Sequence, residues 1–203
     1  MYFTYIFHHK IIKSSVYYRL LFLFQNCKIC QLDTADIVLN KKIPCFNIKP
    51  NNDDKTVKNS SSERIVPIHP KLIEMGFLSY VDYRRRYKKD KLFDFTKKKT
   101  GNYGGAMQHW FARYLDKINI KETDKVFHSF RHTFETKAVE VKIPAEYQNA
   151  ICGWTDNGVG QRVYGRHKDI NVMLEEISKI SYPILKELKE LKDLFSDSYV
   201  CKL

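Results

Sequence analysis

The clearest periodicity in the chain lies between residues 127 and 142. There Phe127, Phe130, Phe134, Ala138 and Val141 recur every three or four positions. That spacing puts five apolar side chains on one stripe of a helix. A second stripe runs through 104–118, with Met107, Trp110, Phe111, Tyr114, Leu115 and Ile118 at helical spacing. These aromatics read as core rather than as a base-stacking platform. Pro70 opens a shorter segment, 70–81, with Leu72, Ile73 and Phe77 on one face. Pro144 suits the first turn of a short helix, and Gly153 stands where that helix would stop. Near the C-terminus, Ile184, Leu185, Leu188, Leu191 and Leu194 predict an amphipathic helix whose stripe needs a cover.

Strand patterns are fewer. Residues 27–39 read as a helix end followed by a strand, and 43–49 alternate weakly as a second strand. The polar run 50–63 reads as a turn region. RIVPIH at 64–69 is β-rich and would return as a hairpin partner. Residues 1–26 are aromatic-rich without a cap signal and are assigned as helix. No internal repeat is visible. The expected fold class is therefore mainly α with a small antiparallel β-sheet, an α+β arrangement. It divides into an unassigned segment 1–26, a main domain 27–180, and an amphipathic helix and tail at 181–203.

Composition supports a folded chain. The 203 residues are 43% hydrophobic and 14% aromatic, enough to build a core. Lys and Arg number 35 against 23 Asp and Glu, a formal charge of +12. That excess predicts affinity for a polyanion, nucleic acid or an anionic membrane surface. A lysine-rich surface inherited from an A/T-biased genome is the plainer alternative. Nine Lys or Arg crowd into 84–100, ending in Lys97, Lys98 and Lys99.

Several classes lose ground. No apolar run reaches the about 18 residues of a membrane span. The N-terminal stretch lacks the basic start and small-residue cleavage site of a signal peptide. Five cysteines are scattered along the chain, and only Cys27 and Cys30 form a C-x-x-C. With no second ligand pair at suitable spacing, a zinc site is not expected. Reduced thiols, no metal and no cofactor are the expectation, in a cytoplasmic protein.

One constellation remains. His128 and Arg131, three apart, share a face of the 127–142 helix. Trp154 follows Gly153, and Tyr164 comes ten residues later between Arg162 and Arg166. Upstream, Lys58 lies in the polar turn, six residues before Arg64. Taken singly, each has a structural reading. Tyr164 is one of thirteen tyrosines and could simply pack. His128 could cap its helix, and Trp154 could belong to the core. Lys58 could be a solvated turn lysine, with Lys55 as a rival.

Together, in this order, the residues resemble the catalytic domain of the tyrosine recombinases, the phage-type integrases. The resemblance rests on H-S-F-R-H-T-F at 128–134, C-G-W at 152–154 and V-Y-G at 163–165. R-I-V-P-I-H-P-K-L at 64–72 and I-C-Q-L-D at 29–33 add to it, so it covers roughly residues 27–170. It implies DNA strand cleavage and rejoining through a phosphotyrosyl intermediate. Tyr164 would be the nucleophile, Arg131 a phosphate clamp, His128 its acid/base neighbour, and Lys58 the proton donor to the leaving oxygen. Trp154 falls where the family carries His or Trp. Arg64, Arg162, Arg166, Lys97, Lys98 and Lys99 would contact DNA. The implied partners are DNA, with association with the nucleoid when bound, and further copies of the chain, a tetramer on DNA.

The chemistry accounts for the residue types. A tyrosine hydroxyl, with an ordinary pKa of about 10, is a weak nucleophile at neutral pH and needs activation. The transition state crowds negative charge onto phosphate oxygens, and guanidinium forks answer it with paired, charge-assisted hydrogen bonds.

The sequence also departs from the family. Its first phosphate-binding arginine lies in G-x-R-x-x-E, just before the segment matched by ICQLD. Gln25 and Lys28 stand at the Arg and Glu positions here. Residues 1–26 do not match the family's DNA-clasping N-terminal domain, which suggests a truncated or frameshifted integrase. Three other readings follow: a non-catalytic DNA-binding remnant, a type IB topoisomerase-like enzyme, and a basic helical protein that binds partners through residues 182–195.

Overall fold

The structure, a computed structural model, describes residues 30–49, 63–94, 129–153 and 168–181, together with 105, 108, 109, 112, 113 and 116. Strands β1 (Ile37–Asn40), β2 (Ile43–Ile48) and β3 (Arg64–Pro67) form an antiparallel sheet in the order β1-β2-β3. The β1–β2 hairpin turns through Lys41 and Lys42, at φ 49° and 67°. Two successive left-handed residues give the turn whose twist matches its strands. The β2–β3 pairing runs from Ile48 opposite Arg64 to Cys45 opposite Pro67. The polar run 50–63 thus joins two paired strands, as the sequence predicts.

The central strand is covered on both sides. Successive side chains of a strand point to opposite faces, and Cys45 and Phe46 are both buried. Phe46 meets Phe77 with ring centroids 5.6 Å apart. The edge strand β3 packs against two helices, α4 (Ala145–Cys152) and α5 (Ile170–Ser178), which also touch each other.

The helix expected over 70–81 is two helices, α1 (Pro70–Glu74) and α2 (Phe77–Arg86). Gly76 breaks them apart at φ 90°, a conformation that cannot continue a right-handed helix and that glycine adopts without a Cβ clash. Helix α2 then runs to Arg86 and draws in part of the basic run. Arg84 is buried and grips the Asp94 carboxylate with both terminal nitrogens, at 2.9 and 2.7 Å. Arg85 donates to the Thr34 and Ile37 carbonyls, and Lys91 pairs with Asp33 at 3.0 Å. These three cations of the 84–100 run brace the fold from within.

Helix α3 (Ser129–Glu140) carries the expected stripe, with Phe134 and Ala138 fully buried and Val141 packed beside them. Pro144 precedes α4 as its N-cap rather than its first residue, and Gly153 ends it at φ 68° as expected. The sequence reading assigns no element to 168–181, yet α5 lies there. Asp169 accepts the Asn171 N–H at 2.7 Å, and Ile170, Met173 and Ile177 form its buried stripe.

Of the 104–118 helix, residues 105, 108, 109, 112, 113 and 116 are helical. Gln108, His109, Ala112, Arg113 and Asp116 are exposed, which is the polar face that the spacing predicts. Its apolar stripe, the 1–26 segment and the 182–195 helix fall outside the described residues. Among the described residues, no helix is long and apolar enough to cross a membrane.

Candidate functional site

Arg131 lies in the first turns of α3, on the stripe that buries Phe134 and Ala138 three and seven residues later. A guanidinium therefore occupies a core-facing position, and only 7% of Arg131 is exposed. Charged side chains are rarely buried without a reason. Its Nε lies 3.6 Å from Glu135 Oε1, one helical turn along. The other oxygen of Glu135 is 3.0 Å from His132 Nδ1, and His132 faces solvent. Glu135 thus spans from the buried arginine to the surface.

Arg64 reaches the same region from the sheet. It opens β3 and alternates with the fully buried Val66, so both point to one face. Its Nε donates to the Ile151 carbonyl in the last turn of α4 at 3.1 Å. Its guanidinium lies against Gly153, where a Cβ would stand 2.4 Å from Nη1 and 2.6 Å from Cζ. Gly153 thus suits its left-handed backbone, and a Cβ there would push the end of the Arg64 side chain aside.

Cys152 lies beside both arginines. Burial pushes its thiol up to about 12, against the pull of Arg131 and Arg64. It therefore stays neutral at physiological pH and supplies no counter-charge. Burial, with the nearby charge of Arg131 adding to it, pushes Arg64 down to about 10. Arg64 remains a cation at neutral pH, but its surroundings work against that charge. The charges of Arg64, on β3, and Arg131, on α3, thus act on each other near the neutral Cys152 thiol at the end of α4. Such an arrangement can hold an oxoanion by charge and by paired N–H groups.

Of the predicted site residues, the structure describes Arg131 and Arg64, whose charges act on each other. Arg64, expected to contact DNA, turns its side chain inward onto α4. His128, Trp154, Tyr164, Lys58, Arg162, Arg166, Lys97, Lys98 and Lys99 lie outside the described residues, as do Gln25 and Lys28. Their neighbours are described. Gly153 precedes Trp154, and Arg64 follows Lys58 by six residues in the sequence. Lys168, four residues after Tyr164, ion-pairs with Glu146 at the start of α4. The sequence reading missed the parts played by Glu135 and Cys152. Glu135 is four residues beyond Arg131, the spacing of a helical ion pair, so that signal was present. Nothing in the sequence marks the Cys152 thiol as a neighbour of two arginines. Among the described residues, no His, Cys, Asp and Glu side chains gather in a metal-holding group.

No protein-family model matches the chain, and no curated protein or solved structure shows significant similarity to it.

Proposed function

We propose that the chain has a tyrosine recombinase catalytic-domain fold and acts on DNA by phosphotyrosyl chemistry. One observation carries the reading most. Arg131, the arginine of the H-S-F-R-H motif, is buried on the core-facing stripe of α3, where its charge also acts on Arg64. A core stripe offers a hydrophobic residue more stability at that position, so a phosphate-binding role accounts for the arginine better than packing does.

In this reading Arg131 grips the non-bridging oxygens of a DNA phosphodiester. The Tyr164 hydroxyl gives its proton to His128, the acid/base neighbour, attacks phosphorus and forms a 3′-phosphotyrosyl ester. The 5′ oxygen leaves with a proton from Lys58, while His128 and the Trp154 indole N–H serve the same phosphate. Reversal by a 5′ hydroxyl rejoins the strand and frees the tyrosine, so no external energy source is needed. Gln25 leaves the site one cation short, and loss of one such donor costs about a hundred- to a thousandfold in rate. Slow cleavage is therefore expected. That same deficit favours the second reading, a non-catalytic DNA-binding remnant.

The test is incubation of the purified chain with nicked duplexes, which trap the covalent intermediate. A protein–DNA adduct that disappears in Tyr164→Phe is expected. No adduct in any condition, with duplex binding retained, would leave the remnant reading. Relaxation of supercoiled DNA by the chain alone would point to the topoisomerase-like alternative.

A further inference from the structure

We propose that the end of α2 is a docking surface for single-stranded nucleic acid, with Tyr87 as a base-stacking platform and Arg86, Lys88 and Lys89 as phosphate contacts. The inference goes beyond the reading above and does not depend on phosphotyrosyl chemistry.

Six cations lie between Arg84 and Lys91. The fold uses half of them: Arg84 pairs with Asp94, Arg85 with Asp82, and Lys91 with Asp33. Arg86, Lys88 and Lys89 are exposed and have no ion-pair partner among the described residues. Asp90, also exposed, takes back one of their charges. The main chain beneath them is held. The Lys88 and Lys89 N–H groups donate to the Arg85 and Arg84 carbonyls at 3.0 Å each, and the Lys89 carbonyl accepts from the Thr34 hydroxyl at 3.3 Å. A ligand at this surface therefore has only side chains to order, not backbone.

Tyr87 supplies what a plain basic patch lacks. It is 54% exposed, and its ring lies against that of Tyr83, one turn back, with centroids 4.6 Å apart. Positions three and four apart on a helix are neighbours, so Arg86 and Tyr87 both border Tyr83. An aromatic ring braced by a second ring thus stands in water between cations. Every base has a π-face, so such a ring accepts any sequence while the cations follow the backbone. A duplex hides its base faces by stacking, and the surface therefore favours an unpaired strand. The helix macrodipole attracts cations to a helix C-terminus, which by itself accounts for Arg86. It does not account for Lys88, whose φ of 51° puts its Cβ against a carbonyl where glycine would hold the fold better.

That strained lysine separates binding from folding in the test. The probe is a fluorescein-labelled oligothymidine, which forms no duplex, titrated with the full chain at about 50 mM salt and followed by anisotropy. Tyr87→Ala is expected to weaken binding about fivefold to a hundredfold, with thermal unfolding unchanged. Lys88→Gly is expected to weaken it too, lowering the slope of log affinity against log salt by about 0.7 while stability holds or rises. Lys142→Gly, the same change at the exposed left-handed lysine after α3, is expected to leave binding as it was. Unchanged affinity in Tyr87→Ala overturns the proposal. So does an equal loss in Lys142→Gly, which would make the binding a property of the whole cationic surface. Attachment to phosphatidylserine vesicles with no binding of the oligonucleotide overturns it in favour of a membrane surface. The recombinase reading fails separately, by the absence of an adduct on nicked duplexes, and that result leaves these titrations untouched.

Discussion

Lys88 and Lys142 carry left-handed backbone, at φ 51° and 55°. Each closes a helix. After α3, the Ile143 N–H donates to the Ala138 carbonyl and the Lys142 N–H to that of Val139. After α2, Lys89 and Lys88 donate in the same way to Arg84 and Arg85. This is the double bond pattern of a helix ending in a left-handed residue, a position where glycine is favoured. A lysine there holds its Cβ against the neighbouring carbonyl. Lys88→Gly and Lys142→Gly are each expected to stabilise the fold by about 0.5–1 kcal/mol. Urea unfolding checks this: the midpoint should rise with an unchanged slope. A lower midpoint would mean that the lysine stems contribute packing larger than the strain. Legibility differs at these stops for a physical reason. Gly153 announces the end of α4 because glycine favours the left-handed region, whereas a lysine carries no turn signal and both lysine stops were silent.

Between elements, His69 acts as a latch. It caps α1, its Nδ1 accepting the Lys71 N–H at 3.0 Å, while its Nε2–H donates to the Ile180 carbonyl just past α5 at 3.0 Å. Both ring nitrogens are engaged only in the neutral form, since a protonated imidazole has no acceptor. Burial, first, and the Lys71 charge lower its pKa, against the favourable pull of the Ile180 and Ile177 carbonyls. The folded value thus lies below the unfolded one, so the unfolded chain binds the proton more readily. The stability that His69 contributes is complete above its ordinary value of about 6.5 and is lost as pH falls from there through the folded value. Thermal unfolding at stepped pH should show Tm falling on acidification below about 6.5, with a shallower fall in His69→Gln. Identical slopes in both proteins would remove the latch from the account. The partner of His69 was illegible in sequence because 111 residues separate it from Ile180. Helix α5 goes unpredicted although its local signals are present: Asp169 as a cap and Ile170, Met173, Leu174 and Ile177 at helical spacing. The break at Gly76 was legible in part, because an isolated glycine within a helical pattern is often tolerated and the apolar spacing continues through it.

Across the whole molecule, charge and fold answer to different forces. The formal charge of +12 does not shape the core, and Arg84, Arg85 and Lys91 spend theirs on internal contacts. If the remaining cations meet DNA, binding to duplex of unrelated sequence should weaken steeply with salt. For about four phosphate contacts the loss is roughly a hundredfold between about 50 and about 200 mM. Fluorescence anisotropy with a labelled duplex measures it, and no binding even at low salt would turn attention to a protein partner. The α+β class, the paired strands around residues 50–63 and the helices at 129–140 and 145–152 followed from the sequence alone. Apolar period, β-branched runs and glycine or proline punctuation act over a few residues, and the chain writes them locally. The sequence also singled out Arg131 through its motif. Only the tertiary structure decided that Arg64 turns inward and that Gly153 makes room for it. It alone set the Cys152 thiol beside two guanidiniums and had His69 tie α1 to the end of α5. The Arg64 and His69 contacts join residues 87 and 111 positions apart, and they come from packing β3 against α4 and α5, which no local pattern encodes.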